Sequence, residues 1–242
     1  MEFGPYHHES SLRERLASLL REAIFVGKLQ PGERIVESQL AKDMNVGQPT
    51  IREALQVLEH EGLITRASKR GCRITDLSLE DVTKIYEVRT ELEVLAVDKI
   101  PTKLIPRLCE ELETIVAKMS KAEQKGGDFN EYARLDLEFH RTIWKASGNE
   151  YLVKALDAIT VPLFAFGRIV FLQHVKTIPE KDTDLHRDIV DIIRSRAASA
   201  TKRDRIRKIM EIFCEGALRD YEVSKQQSAN AKPIPAPMVG GK

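Results

Sequence analysis

The feature of this chain that most restricts its fold is the segment from residue 34 to residue 75. Residues 34–44 have the pattern of a short amphipathic helix, residues 45–47 predict a turn, and residues 48–59 predict a second helix that ends at Gly62. Two short strands around a basic turn complete the segment. We therefore predict a winged helix-turn-helix, whose second helix has suitable dimensions to enter the major groove of DNA.

The positive charge of the chain is concentrated in the last part of this segment. The whole chain has a formal net charge of only +1 at pH 7, which argues against a protein that coats nucleic acid without sequence preference. Between Leu63 and Thr75, by contrast, there are four cations and no acidic residue. A local positive edge on a nearly neutral chain is typical of a protein that binds one DNA site and releases others. These cations are Arg66, Lys69, Arg70 and Arg73.

Length and composition indicate a globular protein of two domains. With 242 residues, of which 42% are hydrophobic and 31% charged, the chain is long enough for two cores. No apolar run approaches the roughly 20 residues of a membrane span, so no membrane partner is expected. Cys72, Cys109 and Cys214 have no paired spacing, which favours a reducing, cytoplasmic location. We predict a flexible tail (1–9), a DNA-binding domain (10–75), a helical effector-binding and dimerisation domain (78–224) and a disordered tail (225–242).

Candidate DNA contacts lie mainly on the second helix of the segment. Gln48 and Thr50 are at its amino-terminal end, where free N–H groups and the helix dipole favour phosphate. Gln48 has the amide needed to read adenine, and Arg52 can read guanine or contact a phosphate. The alternative for Arg52 is an ion pair with Glu53 or Glu59 on a solvated face. The predicted DNA-contacting residues are Ser38, Gln48, Thr50, Arg52, Lys69, Arg70 and Gly71.

The basic hairpin tip has two interpretations. Lys69 and Arg70 either contact a groove or a phosphate, or they form an exposed tip that stays in solvent. Gly71 has no side chain, so the turn can approach another surface closely. We therefore predict that the tip contacts DNA beside the second helix.

Residues after Thr75 have helical periodicity and no convincing strand pattern. Residues 78–81 form a capping box, and Gly-rich or Gly-Asn stops separate the later helices. One apolar stretch is interrupted at Pro162 and predicts either one kinked helix or two. The sequence therefore predicts an all-helical antiparallel bundle of six or seven helices. The predicted segments are 78–100, 103–124, 128–147, 151–175, 179–196 and 201–224.

Three side chains of this domain predict a ligand site. Asp136 and His140 are spaced i, i+4, so both project from one face of a helix. His186 lies on a separate helix that can bring a second imidazole to the same place. Imidazoles with a carboxylate suit zinc, nickel or manganese. The alternative is that the Asp-x-x-x-His pair makes only a surface or supporting contact.

Two arginines are candidates for binding an anionic effector. Arg89, on the inner side of a predicted buried helix, needs a carboxylate partner, and its planar guanidinium fits one with two hydrogen bonds. A structural ion pair with Glu93 on the same helix is the alternative. Arg168 lies in an apolar run, where an unpaired guanidinium would be costly unless it faces solvent.

Several spaced motifs of the first domain agree with one another. They are Gly27-x-Leu29-x-Pro31-Gly32, Glu37-x-x-Leu40-Ala41, Ile51-Arg52-Glu53-Ala54-Leu55, Glu61-Gly62-Leu63 and Arg70-Gly71. Over residues 10–75 the sequence resembles the GntR family of bacterial transcriptional regulators. Most relatives have Ser-Arg-Thr-Pro-Val before the Arg-Glu-Ala-Leu run, whereas this chain has Gly47-Gln48-Pro49-Thr50-Ile51. Because Gln48 replaces the usual base-reading arginine, we expect the operator of this chain to differ from the family's common sequence.

Motifs of the second domain resemble the effector domain of the FadR subgroup, the helical type called FCD. They are Asp136-x-x-Phe139-His140, Ile85-Tyr86-x-Val88-Arg89-x-x-Leu92-Glu93 and His186-Arg187-x-Ile189, and the likeness covers about residues 78–222. In metal-binding members an aspartate and three histidines hold a divalent ion that helps to fix a small carboxylate. The resemblance implies that Asp136, His140 and His186 correspond to the first three of these ligands.

The fourth ligand of that set has no counterpart in this sequence. Relatives place the last histidine in the final helix, where residues 205–211 contain none. Met210 would be a poor replacement for imidazole, and Cys214 or Glu211 would serve only if the helix register is shifted. His174 matches no such role. A divalent metal with three protein ligands and a metal-free site both remain open.

Together these features predict a ligand-responsive transcription factor, most simply a repressor, rather than an enzyme. Two copies would present their second helices to a pseudo-palindromic double-stranded operator, and the bundle would form the homodimer surface. A small carboxylate effector near Arg89 and Asp136 would favour one relative placement of the two DNA-binding domains. Two alternatives are a bundle that only dimerises and keeps a vestigial cavity, and a metal-dependent hydrolase.

Overall fold

The computed structural model describes residues 11–67, 71–124, 128–170 and 182–230. Its first part contains three helices and three strands, and its second part contains six α-helices and one short 3-10 turn, Thr102–Leu104. The first part consists of α1 (Leu12–Phe25), β1 (Arg34–Ile35), α2 (Glu37–Asp43), α3 (Gln48–His60), β2 (Ile64–Ala67) and β3 (Gly71–Ile74). The second consists of α4 (Leu79–Asp98), α5 (Ile105–Glu123), α6 (Phe129–Ala146), α7 (Glu150–Val170), α8 (Asp182–Arg194) and α9 (Ser199–Asn230).

The first part is the winged helix-turn-helix that the sequence predicts. The apolar face of α3 is buried against α1, α2 and the sheet, and Gly62, with φ +73°, ends the helix in the left-handed conformation that glycine adopts readily. The strands form one antiparallel sheet in the order β1-β3-β2. The buried residues of this core include Leu16, Leu20, Ile24, Ile51, Ala54, Leu55, Leu58, Leu63, Ile64 and Ile74.

The predicted helical start at residue 34 was wrong. Arg34 and Ile35 form β1, in register with Arg73 and Cys72 of β3, and α2 begins only at Glu37. The cause is tertiary, because pairing with the wing satisfies the extended backbone and buries the β-branched side chain of Ile35.

The second part is an all-helical bundle built around α4. This helix packs against α9, α7 and α6, while α5 packs against α6 and α8. Ser78 caps α4 reciprocally with Asp81, as predicted. The helix α7 runs through Pro162 without ending, which decides between the one-helix and two-helix alternatives. Among the described helices, none is long and apolar enough to cross a membrane.

The predicted end of the last helix was too early. The helix α9 continues past Ser224 to Asn230, because residues 225–230 contain no proline or glycine and are mostly good helix formers. Of the predicted carboxy-terminal tail, residues 231–242 lie outside the described residues, as do residues 1–10 at the other end.

Candidate DNA interface and effector site

The outer face of α3 carries the predicted base-reading side chains. Gln48 and Arg52 are exposed, Thr50 is half-buried, and Ser38 of α2 is exposed beside them. Gly47 precedes α3 without a side-chain cap, Pro49 in the first turn has no N–H, and the N–H of Thr50 bonds the carbonyl oxygen of Gly47 at 3.1 Å. Within the described part of the chain, this leaves the N–H of Gln48 as the first-turn group that can bind an anion. The face therefore has the composition and polarity that a DNA-reading helix needs.

Arg52 is held by an acid on another helix. Its Nε lies 3.1 Å from Oε2 of Glu37 in α2, and Nη1 of Arg66 in β2 lies 2.8 Å from the other oxygen of the same carboxylate. Arg66 also binds Glu59 at 2.9 Å. We define Glu37, Arg52, Glu59 and Arg66 as the ionic network. Neither acid considered as a partner for Arg52 from the sequence, Glu53 or Glu59, takes that role.

The charges of the ionic network depend on one another. Burial alone would raise the pKa of Glu37, but hydrogen bonds from Arg52 and Arg66 hold that pKa below the usual glutamate range. Burial would likewise lower the pKa of Arg66, and its bond to Glu37 raises it instead. Glu37 is therefore ionised at neutral pH and fixed between two guanidinium groups.

Two cations of the basic edge of the wing have structural partners. Arg66 belongs to the ionic network, and Arg73 donates to the carbonyl oxygen of Gly32 at 2.9 Å. Gly71 opens β3 with φ +77°, a conformation that favours glycine. Lys69 and Arg70, the predicted tip contacts, lie outside the described residues.

The predicted ligand residues of the bundle come together. Asp136 and His140 of α6 and His186 of α8 place their ligand atoms within 4.8 Å of one another. Nε2 of His186 is 3.0 Å from Oδ1 of Asp136, and Nε2 of His140 is 3.5 Å from the same oxygen. Burial alone would raise the pKa of Asp136, but the contact with His186 keeps it below the usual value. We call these three residues the Asp-His-His cluster.

A second carboxylate supports the cluster from α4. Oε1 of Glu93 lies 3.0 Å from Nδ1 of His140, although without good hydrogen-bond alignment, and Trp144 donates its indole N–H to Oε2 at 2.8 Å. Burial would raise the pKa of Glu93, whereas His140, Arg89 and Trp144 lower it. A carboxylate behind one nitrogen of an imidazole orients the other nitrogen toward a ligand.

Arg89 forms the ion pair with Glu93 that was the alternative to effector binding, and some of its hydrogen-bond donors have no acceptor among the described residues. Its Nε is 3.4 Å from Glu93, both side chains being almost fully buried, and its guanidinium lies over the rings of Tyr86 and Phe164 at 5.3 and 5.1 Å. No described residue accepts a hydrogen bond from either Nη nitrogen. These two nitrogens would donate the two parallel hydrogen bonds by which an arginine binds a carboxylate.

An aromatic ring of α9, rather than a fourth ligand, faces the two histidines. Phe213 of α9 has its ring 5.2 Å from that of His186 and 6.1 Å from that of His140. Among the described residues, neither Glu211 nor Cys214 joins the Asp-His-His cluster. The side chain of Arg168 and all of His174 lie outside the described residues.

Comparison with known proteins agrees with both parts. Residues 12–74 match the model described as bacterial regulatory proteins, gntR family, and residues 84–209 match the FCD domain. The chain belongs to the GntR family. It is a DNA-binding transcription regulator with a carboxy-terminal FCD domain, and because the family consists of transcription regulators, the hydrolase alternative is rejected.

Named relatives of this GntR-family chain are regulators as well. An uncharacterized HTH-type transcriptional regulator of Bacillus subtilis, YdhC, is 36% identical over 151 residues, covering 62% of this chain and 67% of the relative. The gluconate operon transcriptional repressor of Bacillus licheniformis is 26% identical over 220 residues, covering 89% and 88%. The structure of McbR/YncC from E. coli, 20% identical, has a TM-score of 0.67 over 91% of this chain and 100% of that one, which shows the shared fold.

Proposed function

We propose that this GntR-family protein is a repressor whose operator affinity is controlled by a small carboxylate bound in the FCD domain. The observation that carries the proposal is that buried Glu93 lies between Arg89 and His140 of the Asp-His-His cluster inside the bundle. Buried charged groups are costly unless they are paired or bind a ligand, and the Nη nitrogens of Arg89 have no described acceptor.

The DNA half of the proposal assigns base reading to α3. Gln48 and Arg52 read base edges, Ser38 and Thr50 contact the backbone, and Lys69 and Arg70 at the wing tip contact the neighbouring groove or phosphates. One winged helix offers limited contact, so two copies in a homodimer bind a pseudo-palindromic operator. The exposure of Gln48, Arg52 and Ser38 supports this assignment.

The effector half assigns the anion to Arg89 and its surroundings. The Asp-His-His cluster fits a divalent ion such as zinc, nickel or manganese, since it supplies one carboxylate and two imidazoles, and Glu93 backs His140 as metal-binding histidines usually require. A bound ion supplies positive charge that helps to fix a carboxylate. Arg89 binds the effector through its two Nη nitrogens while Glu93 fixes its Nε.

A second candidate is that the bundle only dimerises and its cavity is vestigial. The observation in its favour is Phe213, because an aromatic ring rather than a fourth ligand from α9 faces the two histidines. Three protein ligands still leave positions for water or effector in a catalytic or sensing type of site, so we prefer the effector-binding proposal.

Substitution of Arg52 tests the DNA half. Duplexes are first selected from a library with a randomised core by the wild-type protein, and the enriched duplex is titrated in a gel-shift assay. Arg52→Ala should remove most of the specific binding, because one bidentate base contact provides about 1–3 kcal/mol of discrimination in each half-site. Arg107→Ala, which removes an exposed arginine from α5, is the control and should bind as the wild type does. Unchanged binding by Arg52→Ala would refute the role of Arg52.

A thermal-shift screen tests the effector half. Carboxylates and sugar acids are added with and without zinc, and we expect at least one to raise the unfolding temperature by binding the native state. Asp136→Asn should remove any zinc-dependent part of the rise. If no compound changes the unfolding temperature of the wild type, the dimerisation-only alternative is favoured.

A further inference from the structure

The two arginines of the ionic network are used differently. The side chain of Arg66 is 29% exposed and binds Glu37, Glu59 and, at 3.5 Å, the carbonyl oxygen of Arg52. The side chain of Arg52 is 54% exposed and makes one bond, from Nε to Glu37. Arg66 therefore ties the wing to α2 and α3, while most of Arg52 remains directed to the outside.

The nitrogens of Arg52 that remain open are those needed for reading a base. Within the described part of the chain, neither Nη nitrogen has a hydrogen-bond acceptor. A guanidinium that approaches guanine end-on uses these two nitrogens to reach O6 and N7. Since Glu37 occupies only Nε, it orients the guanidinium without competing with the base.

Glu37 is itself held in place. It is the first residue of α2, where a negative charge is stabilised by the helix dipole, and its side chain is only 16% exposed. Arg66 binds its second oxygen at 2.8 Å. A carboxylate fixed in this way can restrict the rotamers of a long side chain before DNA arrives, which lowers the entropy cost of binding.

The net charge of the ionic network indicates that it orients Arg52 rather than attracts DNA. Its two arginines and two glutamates sum to zero formal charge, so the network as a unit adds little attraction for phosphates. A neutral, ordered group that presents two donors is suited to distinguishing one base from another.

We infer that Glu37 is a positioning residue for DNA specificity, which holds Arg52 so that its two Nη nitrogens read a guanine in each half-site. The inference rests on the proposed contact between α3 and DNA. It goes beyond the proposed function in naming guanine as the base that Arg52 reads and in giving an acidic residue a part in the reading.

The test compares Glu37→Gln with Glu59→Gln. Both variants remove one negative charge from the ionic network and one partner of Arg66, but only Glu37 touches Arg52. For each, affinity is measured for the duplex enriched by the wild type and for an unrelated duplex of equal length. Glu37→Gln should lower the ratio of specific to non-specific affinity about tenfold to a hundredfold, and a new selection should show one guanine position degenerate. Glu59→Gln should keep both the ratio and the guanine.

Further variants separate the possible failures. Glu37→Asp keeps the charge but shortens the reach, so it should also lower the ratio even if Glu37→Gln folds poorly. In an Arg52→Ala background, Glu37→Gln should have no further effect on the ratio, because its partner is gone. An equal loss in Glu59→Gln, or a loss that persists without Arg52, would overturn the inference. If Arg52→Ala itself leaves the ratio unchanged, the proposed DNA contact fails instead.

Discussion

At the scale of single residues, we expect the stability of the bundle interior to depend most on the ion pair between Arg89 and Glu93. Both side chains are almost fully buried, and Glu93 also serves His140 and Trp144. In such a setting the pair need not be strongly stabilising, but the loss of one partner leaves the other charge buried without compensation. Stability should therefore respond steeply to Glu93 and weakly to acids at the surface.

Replacement of Glu93 by glutamine measures this dependence. We expect Glu93→Gln to lower the free energy of unfolding by about 3 kcal/mol, because Arg89 then faces an amide instead of a carboxylate. Glu91→Gln on the same helix, which breaks an exposed pair with Arg207, should cause a much smaller loss. Urea denaturation followed by circular dichroism provides both values. Similar losses in the two variants would show that the buried pair has no special weight.

At the same scale, the sequence patterns identified the site residues better than they identified the residues in contact with them. The spacing of Asp136 and His140 predicted a shared helical face, His186 was predicted to reach it from a separate helix, and the structure brings the three together. Glu37 was missed as the partner of Arg52, since the two acids considered lay on α3 itself. Phe213 was missed as well. Contacts between residues far apart in sequence depend on how the helices pack. The spacing of residues within one helix carries no information about that packing.

At the scale of elements, local signals predicted most of the helices and failed where pairing is non-local. The capping box at Ser78 and the glycine stop at Gly62 were correctly interpreted, because a helix end is determined by side chains within a few residues. The strand β1 has only two residues and no alternation to detect. It forms because the wing offers it a pairing partner, which is a tertiary effect.

The helix α7 is the element whose behaviour the sequence left undecided. A proline inside a helix lacks the N–H that would bond the carbonyl group four residues earlier, here that of Ala158. The structure places Gly62 of the DNA-binding domain against this point: a Cβ built on Gly62 would lie 2.8 Å from Cγ of Pro162 and 3.5 Å from the carbonyl oxygen of Ala158. The helix stays continuous, and the turn that contains Pro162 contacts the DNA-binding domain at Gly62.

At the scale of the whole molecule, α7 connects the candidate effector site with the carboxy-terminal end of α3. Its Phe164 lies 5.1 Å from the guanidinium of Arg89 and 6.2 Å from the ring of His140. Pro162, two residues earlier, meets Gly62 just after the end of α3. Phe164 also lines a cleft of about 690 Å³ between α1 and α6 at the domain junction. A ligand that binds more tightly to one position of α7 would thereby favour one placement of α3. The shift in operator affinity cannot exceed the difference in the ligand's binding free energy between the two positions.

A matched pair of glycine substitutions tests whether this contact between the domains matters. Gly62 and Gly148 both have left-handed backbones, with φ +73° and +69°, but an added Cβ meets Pro162 at Gly62 and nothing within 4 Å at Gly148. Gly148→Ala should lower the free energy of unfolding by about 1–2 kcal/mol, the cost of a left-handed alanine. Gly62→Ala should lower it more and also change operator affinity, because α7 must move away from α3. Urea denaturation and gel-shift titration supply the two measurements. Equal stability losses with unchanged operator binding in both variants would show that the Gly62–Pro162 contact does not couple the domains.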